Sequence, residues 1–326
     1  MGERPFMEQL DQVIDSVLAG VTPAQKLQPE LDSLVEIADV LRHLPKEDFK
    51  RRLKTELQRS VSMSAGAEVR AGFRTVSPFI IHERAPELVE FLKRTFDAEE
   101  LQRSTSEEAY GFYSEVKIGD SVLMMGGGSA AEWGNLAGAF HVYVDDCDAA
   151  YRRALEAGAT TLMGAMGEPA DRPYGERSAF VEDGFGNYWY IATRLTPSHA
   201  SEGPGGDLGS VVPYLHPDGV RKHIAFLKAA FGAEEMAVME HAGRVMHAAV
   251  RIGDAVLEMG EPENRSGIPS GGFFVRVDDV ETAYARALDA GAAMVRPPDD
   301  IPYGYRSAIV KDPAGFMWWT ARLMTR

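Results

Sequence analysis

A chain of 326 residues, 45% hydrophobic and 25% charged, has the composition of a folded globular protein, and its length fits two domains or two fused modules. With 34 basic against 49 acidic residues the net charge is −15; this field repels polyphosphate, and the best basic stretch, Lys50 to Arg52 with Lys54, reads as a solvated helix face. No apolar run reaches the roughly 18 residues of a spanning helix, and MGERPFMEQLDQVIDS lacks an apolar signal core, so neither nucleic acid nor membrane is expected as a partner and the expected location is cytoplasmic.

In chain order, Leu10, Val13, Ile14, Val17 and Leu18 mark a first helix. Thr22-Pro23 starts a second, carried by Leu31, Leu34, Val35, Ala38 and Leu41 and stopped at Pro45. A basic helix follows from Lys46 to about Ser60. Residues 1–60 are therefore expected to form a helical N-terminal region, and 61–75 a tether.

The rest of the sequence repeats itself. PFIIHERAPELVEFLKRTFDAEE from Pro78 returns as PYLHPDGVRKHIAFLKAAFGAEE from Pro213, and KIGDSVLMMG from Lys117 as RIGDAVLEMG from Arg251. VDDCDAAYRRALEAGATTL from Val144 returns from Val277, and PYGERSAFVEDGFGNYW from Pro173 as PYGYRSAIVKDPAGFMW from Pro302. Two domains are expected, 76–196 and 209–326, joined by the Gly/Pro/Ser-rich linker 197–208.

Within each copy Leu88, Phe91, Leu92 and Phe96, and again Ile224, Phe226, Leu227 and Phe231, recur at helical spacing. A second helix opens at Asp146 or Asp279, good N-caps, carries the stripe Ala150, Tyr151, Ala154 and Leu155, and ends at Gly158 or Gly291. Each copy reads as two small strand–helix–strand modules, each too small to bury its own core. The lone Cys147 excludes an intrachain disulfide, and three neighbouring aspartates argue for a structural thiol.

These co-ordered motifs, present twice, resemble the vicinal-oxygen-chelate superfamily, also called the glyoxalase/bleomycin-resistance/dioxygenase family, and within it the 3-demethylubiquinone-methyltransferase-like branch. The resemblance covers about Val76 to Leu195 and Ser210 to Leu323. It implies an α+β fold of tandem βαβββ modules curled around a cleft. Metal-using members of the family take His, Gln or Glu ligands from the first and last strands of each module, a set suited to Zn²⁺, Ni²⁺, Mn²⁺ or Fe²⁺.

Counting from the helix and turn landmarks puts those positions on Ser77 or Pro78, Val212 or Pro213, Tyr190 and Trp319, with Ala139 and Gly272 opening the central strands. None is a ligand of the expected type. No metal or other cofactor is therefore expected.

Alternation instead lines the cleft with Tyr188 and Tyr190 in one copy and Met317 and Trp319 in the other, while Trp189 and Trp318 face the helices. His141, Tyr143, Tyr113, His247 and Glu258 complete the candidate ligand-binding set. Such a surface suits a hydrophobic or aromatic small molecule, unless the rings simply fill the cleft. Arg177 and Arg306 of the PYGxRS motifs read as ties to acidic groups of the VDD turns rather than as ligand contacts.

The function expected is metal-free binding of a planar or hydrophobic ligand. The alternatives are a metal-dependent lyase, isomerase or dioxygenase-like enzyme with a displaced site at His141, His247 and Glu258, and a non-catalytic scaffold acting through its N-terminal helices. A homodimer is possible in each case.

Overall fold

The computed structural model describes residues 72–324 apart from 107–110, 129–133, 196–207, 263–268 and 302–303; the N-terminal helices and the linker read from the sequence lie outside the described residues. Four βαβββ modules follow one another. The first holds β1 (Val76–Ile81), α1 (Ala85–Phe96), β2 (Glu99–Ser106), β3 (Gly111–Ile118) and β4 (Ser121–Gly128). The second holds β5 (Ala139–Tyr143), α2 (Cys147–Glu156), the short β6 (Thr160–Thr161) and β7 (Ala170–Arg172), then β8 (Glu176–Glu182) and β9 (Tyr188–Arg194). The third comprises β10 (Val211–Leu215), α3 (Val220–Phe231), β11 (Glu234–His241), β12 (Arg244–Ile252) and β13 (Ala255–Met259). The fourth comprises β14 (Gly272–Arg276), α4 (Val280–Asp289), β15 (Ala293–Ile301), β16 (Tyr305–Lys311) and β17 (Met317–Leu323).

The local chemistry explains these boundaries. Asp146 and Asp279 cap α2 and α4, accepting the amides of Ala149 and Thr282 at 2.9 Å, and Gly158 and Gly291 follow each helix at φ 98° and 102°. Along α2 the apolar stripe is narrower than its sequence suggests: Ala150 and Ala154 are buried but Leu155 is exposed. Cys147 is buried at the start of α2, where burial and then Asp148 push its thiol up to about 12, which suits a packing role. Arg177 forks onto Asp148 and Asp171, and Arg306 onto Glu281 and Asp300, so both arginines tie a strand to the first turn of a helix.

Each sheet draws on both sequence copies. One has the order β15-β16-β17-β14-β1-β4-β3-β2 and joins the first module to the fourth; the other has the order β11-β12-β13-β10-β5-β9-β8-β6 and joins the second to the third. The central seams are antiparallel, β1 on β14 and β10 on β5, whereas first and last strands within a module pair in parallel.

The helical cores follow the other division. Leu88, Phe91 and Leu92 of α1 share one core with Ala150 and Ala154 of α2 and with Phe140 and Trp189. Ile224 and Leu227 of α3 share another with Ala287 of α4, Phe273 and Trp318. Sheets thus cross the copies while helix pairs stay within them, and the expectation that Trp189 and Trp318 face the helices holds.

Two aspartates of the repeated IGD turns staple the copies. Asp120 accepts the Ser210 amide at 2.6 Å, and Asp254 accepts the Thr75 amide at 2.6 Å and its hydroxyl at 2.7 Å. Burial alone would raise the Asp120 carboxyl, but the bonds from Ser210 and Ser121 hold it below its usual range.

Candidate functional site

Side chains alternate across each strand, so each sheet has a helix-packed face and a helix-free face. Where the first and last strands of paired modules meet, four positions on the helix-free face lie side by side. In the sheet of modules one and four these are Phe79 against Met124 and Phe274 against Trp319. In the sheet of modules two and three they are His141 against Tyr190 and Tyr214 against Glu258.

The first set is apolar. Phe79 meets Trp319 edge-on at 5.0 Å, and Ile81, Leu136, Ile309 and Met317 pack around them, all buried. Tyr113 donates to the buried Glu115 at 3.0 Å beside this cluster. This face is a satellite core.

The second set is polar and built around His141. Its Nδ1 lies 3.1 Å from Glu258 Oε2 and its Nε2 lies 3.5 Å from Glu176 Oε2. Burial would lower the imidazole, but the two carboxylates outweigh it and hold His141 charged up to about 9. Burial would likewise raise Glu258, and His141 with His247 hold it down to about 2. His247, 38% exposed, brings Nε2 to 3.6 Å from Glu258 Oε1 and opens the cluster to solvent.

Tyr143 stacks on His141 with ring centroids 4.5 Å apart and donates to Glu176 Oε1 at 3.2 Å; the Arg194 guanidinium lies 4.4 Å above its ring. On the other side Tyr190 donates to His216 Nε2 at 2.7 Å, and His216 Nδ1 faces the Gly260 carbonyl at 3.3 Å. Because a carbonyl only accepts, that contact puts the His216 proton on Nδ1, and burial lowers the imidazole further into its neutral form. Tyr190 and Tyr214 meet edge-on at 5.1 Å, and burial raises both phenols.

The candidates drawn from the sequence thus separate. His141, Tyr143, Tyr190, His247 and Glu258 gather on one face, with Tyr188 on the same strand as Tyr190. Met317, Trp319 and Tyr113 belong to the other sheet, so the cleft set expected from the sequence is divided between two sheets.

Counting within a copy also moved the first-strand positions. Ser77 and Val212 share a strand face with Phe79 and Tyr214 but lie two residues short of the ring, as Ala139 and Gly272 do relative to His141 and Phe274. Pairing across copies brings His141 and Glu258, grouped by the sequence as one alternative site, into a single ring with Tyr190 and Tyr214. Glu176, Tyr214 and His216 were missed. The signal for Glu176 was the one residue that differs between PYGERS and PYGYRS.

The metal suggested by the resemblance can be tested on these donors. The ring offers one imidazole, one carboxylate and two phenols, with Glu176 and His247 beside it, and both His141 nitrogens are turned to carboxylates, Glu258 and Glu176. Among the described residues no group of three or more His, Cys, Asp or Glu side chains is arranged to hold a metal ion.

Two mixed sheets, each assembled from a pair of βαβββ modules around a helix-free face, define a class of protein that the comparisons identify. The model of the Glyoxalase/Bleomycin resistance protein/Dioxygenase superfamily matches residues 215–320. An uncharacterised Mycobacterium bovis protein is 31% identical over 126 residues, 36% of this chain and 80% of its own length; one from Mycobacterium tuberculosis matches equally over 72% of its length. Among solved structures, glyoxalase I from Zea mays superposes with a TM-score of 0.56 at 13% identity, over 76% of this chain and 92% of the maize chain. A putative dioxygenase from Bacillus subtilis gives 0.50 at 14% identity, over 78% and 86%. The chain belongs to the glyoxalase/bleomycin resistance protein/dioxygenase superfamily.

Proposed function

We propose that this protein is a metal-independent small-molecule-binding member of its superfamily, whose ligand lies on the helix-free face of the second sheet. On our reading its repeated motifs belong with the 3-demethylubiquinone-methyltransferase-like branch. One observation carries the binding proposal: around the ring where metal-using relatives gather donors, two tyrosines stand beside an imidazolium bracketed by carboxylates. Tyr143, Tyr190 and Tyr214 give flat apolar surface for a planar ligand, each ring contact contributing about 0.5–1.5 kcal/mol beyond area burial. The opposite sheet, closed by Phe79, Ile309 and Trp319, supplies stability instead.

Protein purified without chelator is expected to hold no stoichiometric transition metal and to bind a planar aromatic probe once per chain. At a hundredfold excess over Kd this binding should add about 2.7 kcal/mol in thermal denaturation. Tyr190→Ala should abolish it, and Tyr305→Ala, on the other sheet, should not. Metal bound one to one through His141 and Glu258 overturns the reading.

A second reading, an acid–base enzyme, is favoured by His247 beside Glu258, because a half-exposed imidazole on a buried carboxylate can relay a proton. A turnover abolished by His247→Ala, with the fold intact, would favour it.

A further inference from the structure

Each hairpin that leads into the last strand of a copy, β8–β9 and β16–β17, holds one buried aspartate, and the two copies partner it differently. In the first copy Asp183 Oδ2 accepts the Asn187 side-chain amide and the Trp189 indole, both at 2.9 Å, while Leu88 of α1 packs in the apolar core. In the second copy Phe316 stands at the Asn187 position and His223 of α3 at the Leu88 position. Asp312 Oδ2 accepts the Trp318 indole at 2.8 Å, and His223 Nδ1 lies 3.7 Å from that same oxygen. The His223 side chain is 1% exposed, and neither ring nitrogen has a hydrogen-bond partner. The rings of Phe226, on α3 itself, and Phe316, on the hairpin, lie against it. Among the described residues Asp312 is the one charged group in ion-pair contact with this imidazole. A polar-for-apolar exchange at one position is thus matched by the reverse exchange at the other.

We infer that His223 and Asp312 form a buried proton-binding pair, which replaces the Asn187 amide of the first copy and carries one extra proton in mildly acidic solution. The type of donor makes the difference. The Asn187 side-chain oxygen takes the Gly138 amide at 2.9 Å and its nitrogen can only donate, so it offers Asp183 no acceptor for a proton. An imidazole serves both states of its partner. With hydrogen on Nδ1 it donates to the carboxylate; with hydrogen on Nε2, its bare Nδ1 accepts the O–H of the carboxylic acid. Burial pushes the Asp312 carboxyl up to about 6 and the His223 imidazole down to about 4. Between those values the proton sits on the carboxyl and the pair is uncharged, the form that a dry core favours.

Nuclear magnetic resonance on the isotope-labelled full chain tests this, following the Trp318 indole N–H and the His223 ring nitrogens from about pH 8 to about pH 5. Both signals are expected to move together with one midpoint near 6, the ring passing from one neutral tautomer to the other. His223→Leu combined with Phe316→Asn transplants the first copy's partners. It is expected to bind the proton at least about tenfold less tightly, read from the same indole signal. The wild-type titration decides the matter even if the double variant fails to fold. An indole signal that stays still, or separate midpoints for indole and ring, overturns the pair, as does a double variant that keeps the wild-type midpoint.

Discussion

Replacing His141 removes the cation that lets Glu176 and Glu258 sit together on a largely dry face, so the cost is that of an exposed like-charge pair rather than of one contact. His141→Ala is expected to destabilise the fold by about 3–5 kcal/mol in urea denaturation at neutral pH. The pH dependence has a definite sign. In the folded state His141 is raised from 6.5 to about 9, so its contribution is complete below 6.5 and disappears as pH rises through 9. Glu258, lowered from 4.5 to about 2, contributes fully above 4.5 and loses its contribution as pH falls through 2. These are two views of one pair, which stabilises most between about 4.5 and 6.5. Urea midpoints measured at pH 6 and pH 9.5 should fall in the wild type, and the fall should shrink in His141→Gln. From sequence, His141, His247 and Glu258 were visible as chemistry-bearing residues. Glu176 was not, because the arginine beside it recurs in both copies and drew the eye to a structural tie.

At the scale of elements, the hairpins before the last strands repay attention. Asp183 accepts the amides of Phe185 and Asn187, the Asn187 side chain and the Trp189 indole, all at 2.9 Å. Asp312 accepts the amides of Ala314 and Phe316 and the indole of Trp318, but Phe316 stands where Asn187 does, so one donor is missing. Burial raises Asp312 to about 6 even against those bonds. A carboxyl raised in this way stabilises the fold most below 3.8 and loses that contribution as pH climbs through 6, opposite in direction to Glu258. Asp183→Asn turns an N–H toward the Trp189 and Asn187 donors and should cost about 2 kcal/mol by thermal denaturation, without altering ligand affinity. The caps, turns and helix stripes were legible in the sequence because they depend on local spacing. The grouping of His141, His247 and Glu258 was legible too, but that Glu176, Tyr214 and His216 join them was not, because that depends on strand register between segments far apart in the chain.

The molecule as a whole cannot be divided where its sequence divides. Cutting between the copies would free both central seams, β1 from β14 and β5 from β10, and leave each half with two open inner edges. The second copy alone, residues 209–326, is therefore expected to recover as a dimer or to precipitate, never as a folded monomer, in gel filtration with light scattering. Repetition in the sequence revealed four modules, but nothing within it said that the first would seek the fourth. The crossed arrangement also sorts inheritance. All the strands beneath the polar face come from one uninterrupted stretch, β5 through β13, while the apolar face is assembled from the two flanks. A single crossover event exchanging that inner stretch would deliver a whole new recognition surface at one stroke and leave the flanking half of the architecture as it was.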